Sequence, residues 1–190
     1  GDYAFYDCEG LTSITIPEGV TSIGDYAFYD CEGLTSITIG NSVTNIGYDA
    51  FDGCPIETAT IPAIAAKAIN NSKLKTVVIE GGASIEDYAF RDCSSLTNIT
   101  IPDSVTSIGS YVFSGCDSLN AVYITDIESW CEIVFENELA NPLSCGANLF
   151  INNQLISELI IPENVTSIGN FAFSGCSSLT SITIPESVTS

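Results

Sequence analysis

Apolar positions in this chain fall into two short alternations that recur every 23 residues or so. In LTSITIPEGVTSIGDYAFYDCEG, residues 11–33, Leu11, Ile14 and Ile16 are spaced by Ser and Thr. The alternation Ser13-Ile14-Thr15-Ile16 predicts a short strand with one face buried. Pro17-Glu18-Gly19 turns the chain, and Val20 to Ile23 predicts a second, shorter strand. Gly24 suits a position that needs a positive φ. Asp25 then caps a turn through Tyr26-Ala27-Phe28, and Cys31 leads back to Leu34. Residues 34–55, 96–118 and 156–178 repeat the scheme closely, residues 1–10 match its tail and residues 179–190 its head. Chain length therefore counts coils rather than separate cores.

Each unit carries eight apolar positions. Burying a large one contributes about 1.5–3 kcal/mol, whereas ordering each backbone residue costs about 1–2 kcal/mol. A single coil cannot fold alone. Stacked coils bury both faces and continue the strand ladder, with neighbouring strands about 4.8 Å apart.

Two stretches leave the pattern. In 56–73 the segment PAIAAKAINNSK replaces the second strand and the AFxxC turn. Pro62 suits a helix start, with Ile64, Ala65, Ala68 and Ile69 on one face. In 119–155 the spacing from Leu119 to Ile156 is 37 residues. Asp126 is placed to N-cap a helix through DIESWCEIVF, and LFINNQLIS, centred on Asn152-Asn153, reads as a tight hairpin.

The recurring LTSITIPxxVTSIGxYAFxxC resembles the BspA-like, Treponema-type leucine-rich repeats of bacterial surface and secreted proteins, and the match covers nearly the whole chain. The resemblance implies a β-rich (α/β-type) solenoid lying outside the cell. Its expected form is a right-handed leucine-rich-repeat superhelix of about eight coils, with short parallel strands and helical turns opposite them. Some members of the family are adhesins, but fold alone does not transfer a ligand.

Composition narrows the function. Asp and Glu number 24 against four Lys and Arg, giving a net charge of −20. Such a field repels nucleic acid and anionic lipid. Solubility is the plain reading of the acidity, and weak calcium binding the sharper one. Lys67, Lys73, Lys75 and Arg91 are confined to one stretch. No apolar run is long enough to span a membrane. The chain opens without Met and begins and ends inside the pattern, so it is read as a single solenoid segment, 1–190, of a longer protein. Its open ends could also stack on one another.

The absence of His removes the commonest general base and any Ser-His or Cys-His pair. Carboxylates such as Glu18, Asp103, Glu163 and Glu186 fall at turns. No catalytic residue, cofactor or metal site is assigned. Six cysteines, at 8, 31, 54, 93, 116 and 176, share one repeat position and read as an inward ladder of free thiols. Cys131 and Cys145 lie in the longer stretch and could pair instead. The sequons at Asn70, Asn98 and Asn164 follow from frequent Asn and Thr.

The outward strand position is threonine at 15, 38, 60, 100 and 183, but Val78, Tyr123 and Ile160 break the rule. Val78, Thr100, Tyr123, Trp130 and Ile160 are therefore the candidate contacts for a protein or glycan partner. The competing reading has the 126–155 stretch, with Trp130, folding over Tyr123 and Ile160. A second column, Tyr3, Tyr26, Tyr88, Tyr111 and Phe171, either binds sugars or covers an edge with its hydroxyls wet. Function thus divides between a recognition scaffold and a plain spacer.

Overall fold

The computed structural model describes residues 1–190. The chain winds as successive coils, all but the last two contributing to one front sheet. In chain order the first coils give β1 (Ser13–Ile16), β2 (Ser22–Ile23), β3 (Ser36–Ile39), β4 (Asn45–Ile46), β5 (Thr58–Pro62), β6 (Thr76–Gly81) and β7 (Ser84–Ile85). They continue with β8 (Asn98–Thr100), β9 (Ser107–Ile108), β10 (Ala121–Ile124), helix α1 (Ile127–Glu132) and β11 (Val134–Phe135). The last are β12 (Asn148–Ile151), β13 (Gln154–Leu155), β14 (Glu158–Ile160) and β15 (Ser181–Thr183).

The front sheet runs β1-β3-β5-β6-β8-β10-β12-β13, and every pair but the last is parallel. Period-2 alternation sends Ile37, Ile39, Val77, Ile79, Ile99 and Val122 inward, each at most 1% exposed. The two-residue strands form a second edge, in which β2 pairs β4 and β7, β9 and β11 follow one another. One core of 45 residues runs between the edges. No helix is long and apolar enough to cross a membrane.

The arc that closes each regular coil is a run of turns. Its left-handed residues are Tyr3, Tyr26, Asp49, Tyr88, Tyr111 and Phe171, each followed four residues on by a left-handed Asp or Gly. Gly24 is not among the positive-φ residues, which corrects the expectation placed on it. Gly24, Gly47 and Gly109 are instead needed for close approach. A Cβ at any of them would overlap backbone or carboxylate atoms of the coil before. Asp25 likewise caps across coils: its Oδ1 accepts from the Tyr48 N–H at 2.8 Å, and Asp87 Oδ1 accepts from the Ser110 N–H at 2.7 Å.

Both irregular stretches differ in kind from the regular coil. Only 18 residues separate Thr58 from its partner Thr76, against 23 between Ser13 and Ser36. There is no room for a helix, and Ala63–Ala65 and Lys67–Ile69 form two 3₁₀ turns instead. The expected helical face is corrected accordingly. Ala63, Ala65, Ala66 and Ile69 are buried, while Ile64 is exposed and Ala68 half-buried. In the longer stretch α1 starts at Asp126, whose carboxylate accepts from the Ser129 N–H at 2.9 Å. Asn152 and Asn153, both left-handed, turn β12 back into β13, as a two-residue hairpin requires.

Candidate functional site

The outward column of the front sheet can be followed residue by residue. Thr15, Thr38, Thr60, Val78, Thr100 and Tyr123 stand opposite one another in successive registers. The next neighbour of Tyr123 is Phe150 on β12, and the next neighbour of Phe150 is Leu155 on β13. The Tyr123 and Phe150 rings lie 4.9 Å apart at 30°. Leu155 is 51% exposed, and Ile160, outward on β14, is 74% exposed. The longer stretch therefore does not cover Ile160, and its hairpin lengthens the apolar column beyond Tyr123; β14 pairs with β15 in a separate two-stranded sheet, so Ile160 lies outside that column. Phe150 and Leu155 belong to the site and were not singled out from sequence. The signal was available, because in a hairpin centred on Asn152-Asn153 these two residues face each other across the strands.

Trp130 does not belong to this surface. Its side chain is 1% exposed and its indole N–H donates to the Ala172 carbonyl at 2.9 Å. The ring packs edge-on against Phe135. Trp130 ties α1 to the following coil and cannot touch a ligand. Asn141 supports the same junction. It is the buried polar residue of the chain, and its amide donates to the carbonyls of Phe171 and Ala172 while its oxygen accepts from the Leu143 N–H.

The aromatic column on the arcs is a stack. Tyr3 and Tyr26 lie 5.1 Å apart at 16°, and Tyr88 and Tyr111 5.7 Å apart at 5°. Ring faces turned toward one another are not free to receive a sugar, which needs an open face for stacking. Arg91 sits 5.6 Å over the Tyr88 ring.

All eight cysteines are free thiols. Cys31, Cys54 and Cys116 each donate to the carbonyl of the repeat Phe one coil back, at 3.0–3.1 Å. Cys145 makes the same contact with the Phe113 carbonyl, so it is a member of the ladder, while Cys131 lies buried in α1. Cys93 donates to Asn70 Oδ1, which fills the cysteine position of the short coil. Burial pushes the Cys54 thiol up to about 12, and those of Cys93 and Cys131 up to about 11.

The carboxylates are spread along the solenoid. No three His, Cys, Asp or Glu side chains are placed to share a metal ion. Glu18 is held below its usual range, first by the Ser42 hydroxyl and then by the Asn41 N–H, and so staples two coils together. Two ion pairs are formed, Lys75 with Glu57 and Arg91 with Asp92, both exposed.

Comparison with known proteins follows this geometry. The family described as BspA type leucine rich repeat region matches in six copies, over residues 1–72, 62–141 and 143–190. Among solved structures, a leucine rich cell surface protein from Faecalibacterium prausnitzii A2-165 is 26% identical, with a TM-score of 0.36 over 94% of this chain and 61% of its own. A leucine-rich repeat protein from Eubacterium ventriosum is 21% identical, with a TM-score of 0.46 over 96% of this chain and 50% of its own. The T. pallidum leucine rich repeat protein is 25% identical, with a TM-score of 0.41 over 92% and 70%. The chain thus spans half to three fifths of the first two. No curated protein matches it.

Proposed function

The chain belongs to the BspA-type leucine-rich-repeat family, and from that premise we propose that it is a non-enzymatic scaffold outside a bacterial cell that binds a protein ligand. Stacked coils present an extended, rigid face suited to recognition. The observation that carries the reading is the outward column of the front sheet. Where the repeat places threonine, it holds Val78, Tyr123, Phe150 and Leu155, with Leu155 more than half exposed, and Ile160 on the separate β14–β15 sheet is 74% exposed. Exposed apolar clusters of this kind mark contact surfaces, with Thr100 inside the column as a polar neighbour. A protein ligand fits better than a glycan, because Val78, Leu155 and Ile160 offer a sugar neither hydrogen bonds nor an open ring.

The test is a binding screen against host matrix proteins and bacterial surface proteins, using wild type and the double variant Leu155→Ser, Ile160→Ser. A saturable hit should weaken at least tenfold in the variant. Its melting temperature should stay close to wild type, because exposed substitutions change stability by no more than about 0.5 kcal/mol. A clean negative for wild type would leave the chain as a spacer that holds other parts of a longer protein away from the cell.

A further inference from the structure

Between regular coils the closing arcs are joined by a fixed set of backbone bonds. Tyr26, Phe28 and Asp30 donate to the carbonyls of Tyr48, Ala50 and Asp52 at 2.9, 2.8 and 2.9 Å. The same three bonds join the first arc to the second, through Tyr3, Phe5 and Asp7, and recur at Tyr88, Phe90 and Asp92. The equivalent donors of the third arc are the N–H groups of Asp49, Phe51 and Gly53, and none of them has a protein acceptor.

The cause is the short coil. Its arc is replaced by two 3₁₀ turns, and its second strand is missing, so the short-strand edge breaks between β4 and β7. On its far side the sequence compensates: the Asn70 amide donates to the carbonyls of Tyr88 and Arg91 at 3.3 and 3.0 Å. On its near side nothing replaces the lost carbonyls. A notch remains there, made of two adjoining concavities of about 220 and 410 Å³ that share Asp49, Lys67 and Ala68. Tyr48 lines the larger one. Its ring is turned 75° from that of Tyr26 and is 67% exposed, so it stands out of the stack, near the half-exposed Ile64.

We propose that this notch binds a peptide segment of a partner protein, whose backbone carbonyls take the places of those of the missing arc. The row of donors selects the occupant. The three N–H groups lie at alternate residues of a run of turns, and in the other arcs such donors meet carbonyls at alternate residues of the next coil, a pattern that a polypeptide backbone reproduces. A lone carboxylate or sulfate cannot span them. The lining sets Asp49, Asp52 and Glu86 against the single Lys67 and so favours a basic side chain, and the open Tyr48 ring and Ile64 favour an apolar one. The site is separate from the front column, and its success or failure does not depend on that column.

Random octapeptides displayed on phage would be selected on this chain and counter-selected on the Ala68→Trp form, which fills the notch. Enriched sequences should pair a basic with an apolar residue. Their synthetic versions should shift the amide signals of Asp49, Phe51 and Gly53, and affinity should fall tenfold or more in Ala68→Trp and in the exposed-site variant Asp52→Lys. The Leu155→Ser, Ile160→Ser variant should bind them unchanged. No enrichment would overturn the proposal. So would enriched peptides that move the signals of Tyr123 and Ile160 instead, or the same three shifts produced by sodium acetate alone.

Discussion

Cys31, Cys54 and Cys116 sit where the thiol reaches a carbonyl one coil back, and like Cys93 they are buried away from water. Burial disfavours the thiolate, and the thiolate is the reactive form. For Cys93 the rise from the usual value near 9 to about 11 lowers the thiolate fraction about 100-fold. In the folded protein a thiol reagent at mildly alkaline pH should therefore label the half-buried Cys8 and Cys176 first, and Cys54, Cys93 and Cys131 only on unfolding. Rapid native-state labelling of Cys93 would mean that the ladder opens locally. The inward ladder was readable from one recurring position. The membership of Cys145 was not, because the longer stretch obscures the count from Leu119 and only the contact with Phe113 restores it. Gly24 shows the opposite failure. Glycine has two uses, positive φ and close approach, and sequence alone does not tell them apart. Here the left-handed conformation falls on Tyr26, a bulky residue that disfavours it. The inter-coil bonds of the arc hold it there.

At the scale of elements, α1 stands or falls with its cap. The Asp126 carboxylate is held below its usual range, first by the Ser129 N–H and then by the Ser129 hydroxyl. Asp126→Ala should lower stability by about 1 kcal/mol, read as a shift in the urea midpoint. A carboxyl whose folded pKa is depressed contributes fully above its unfolded value, near 3.9, and loses that contribution as pH falls through the folded value. The gap between wild type and Asp126→Ala should thus be constant near neutrality and close in acid. A gap that widens in acid would show that the carboxylate is not the stabilising form. The regular strands, the cap and the hairpin were legible because each rests on local chemistry: period-2 alternation, an acidic N-cap, and Asn-Asn at a tight turn. The supposed helix after Pro62 and the exposed role given to Trp130 were not, since both depend on neighbours. The short coil is set by the ladder that its flanking strands must join, and a six-residue helix buries whichever face the next coil presents.

For the whole molecule, shape and charge act against each other. Residues 1–66 and 92–190 carry no Lys or Arg, so long stretches of the solenoid hold only negative side chains. The two ion pairs are exposed, and such pairs contribute little. Self-repulsion of this kind destabilises a compact state, and salt screens it. Melting temperature should therefore rise with sodium chloride. If melting temperature fell with salt, attractive charge pairs rather than screened repulsion would govern the rod. The exposed Lys75–Glu57 contact would then be the first to remove.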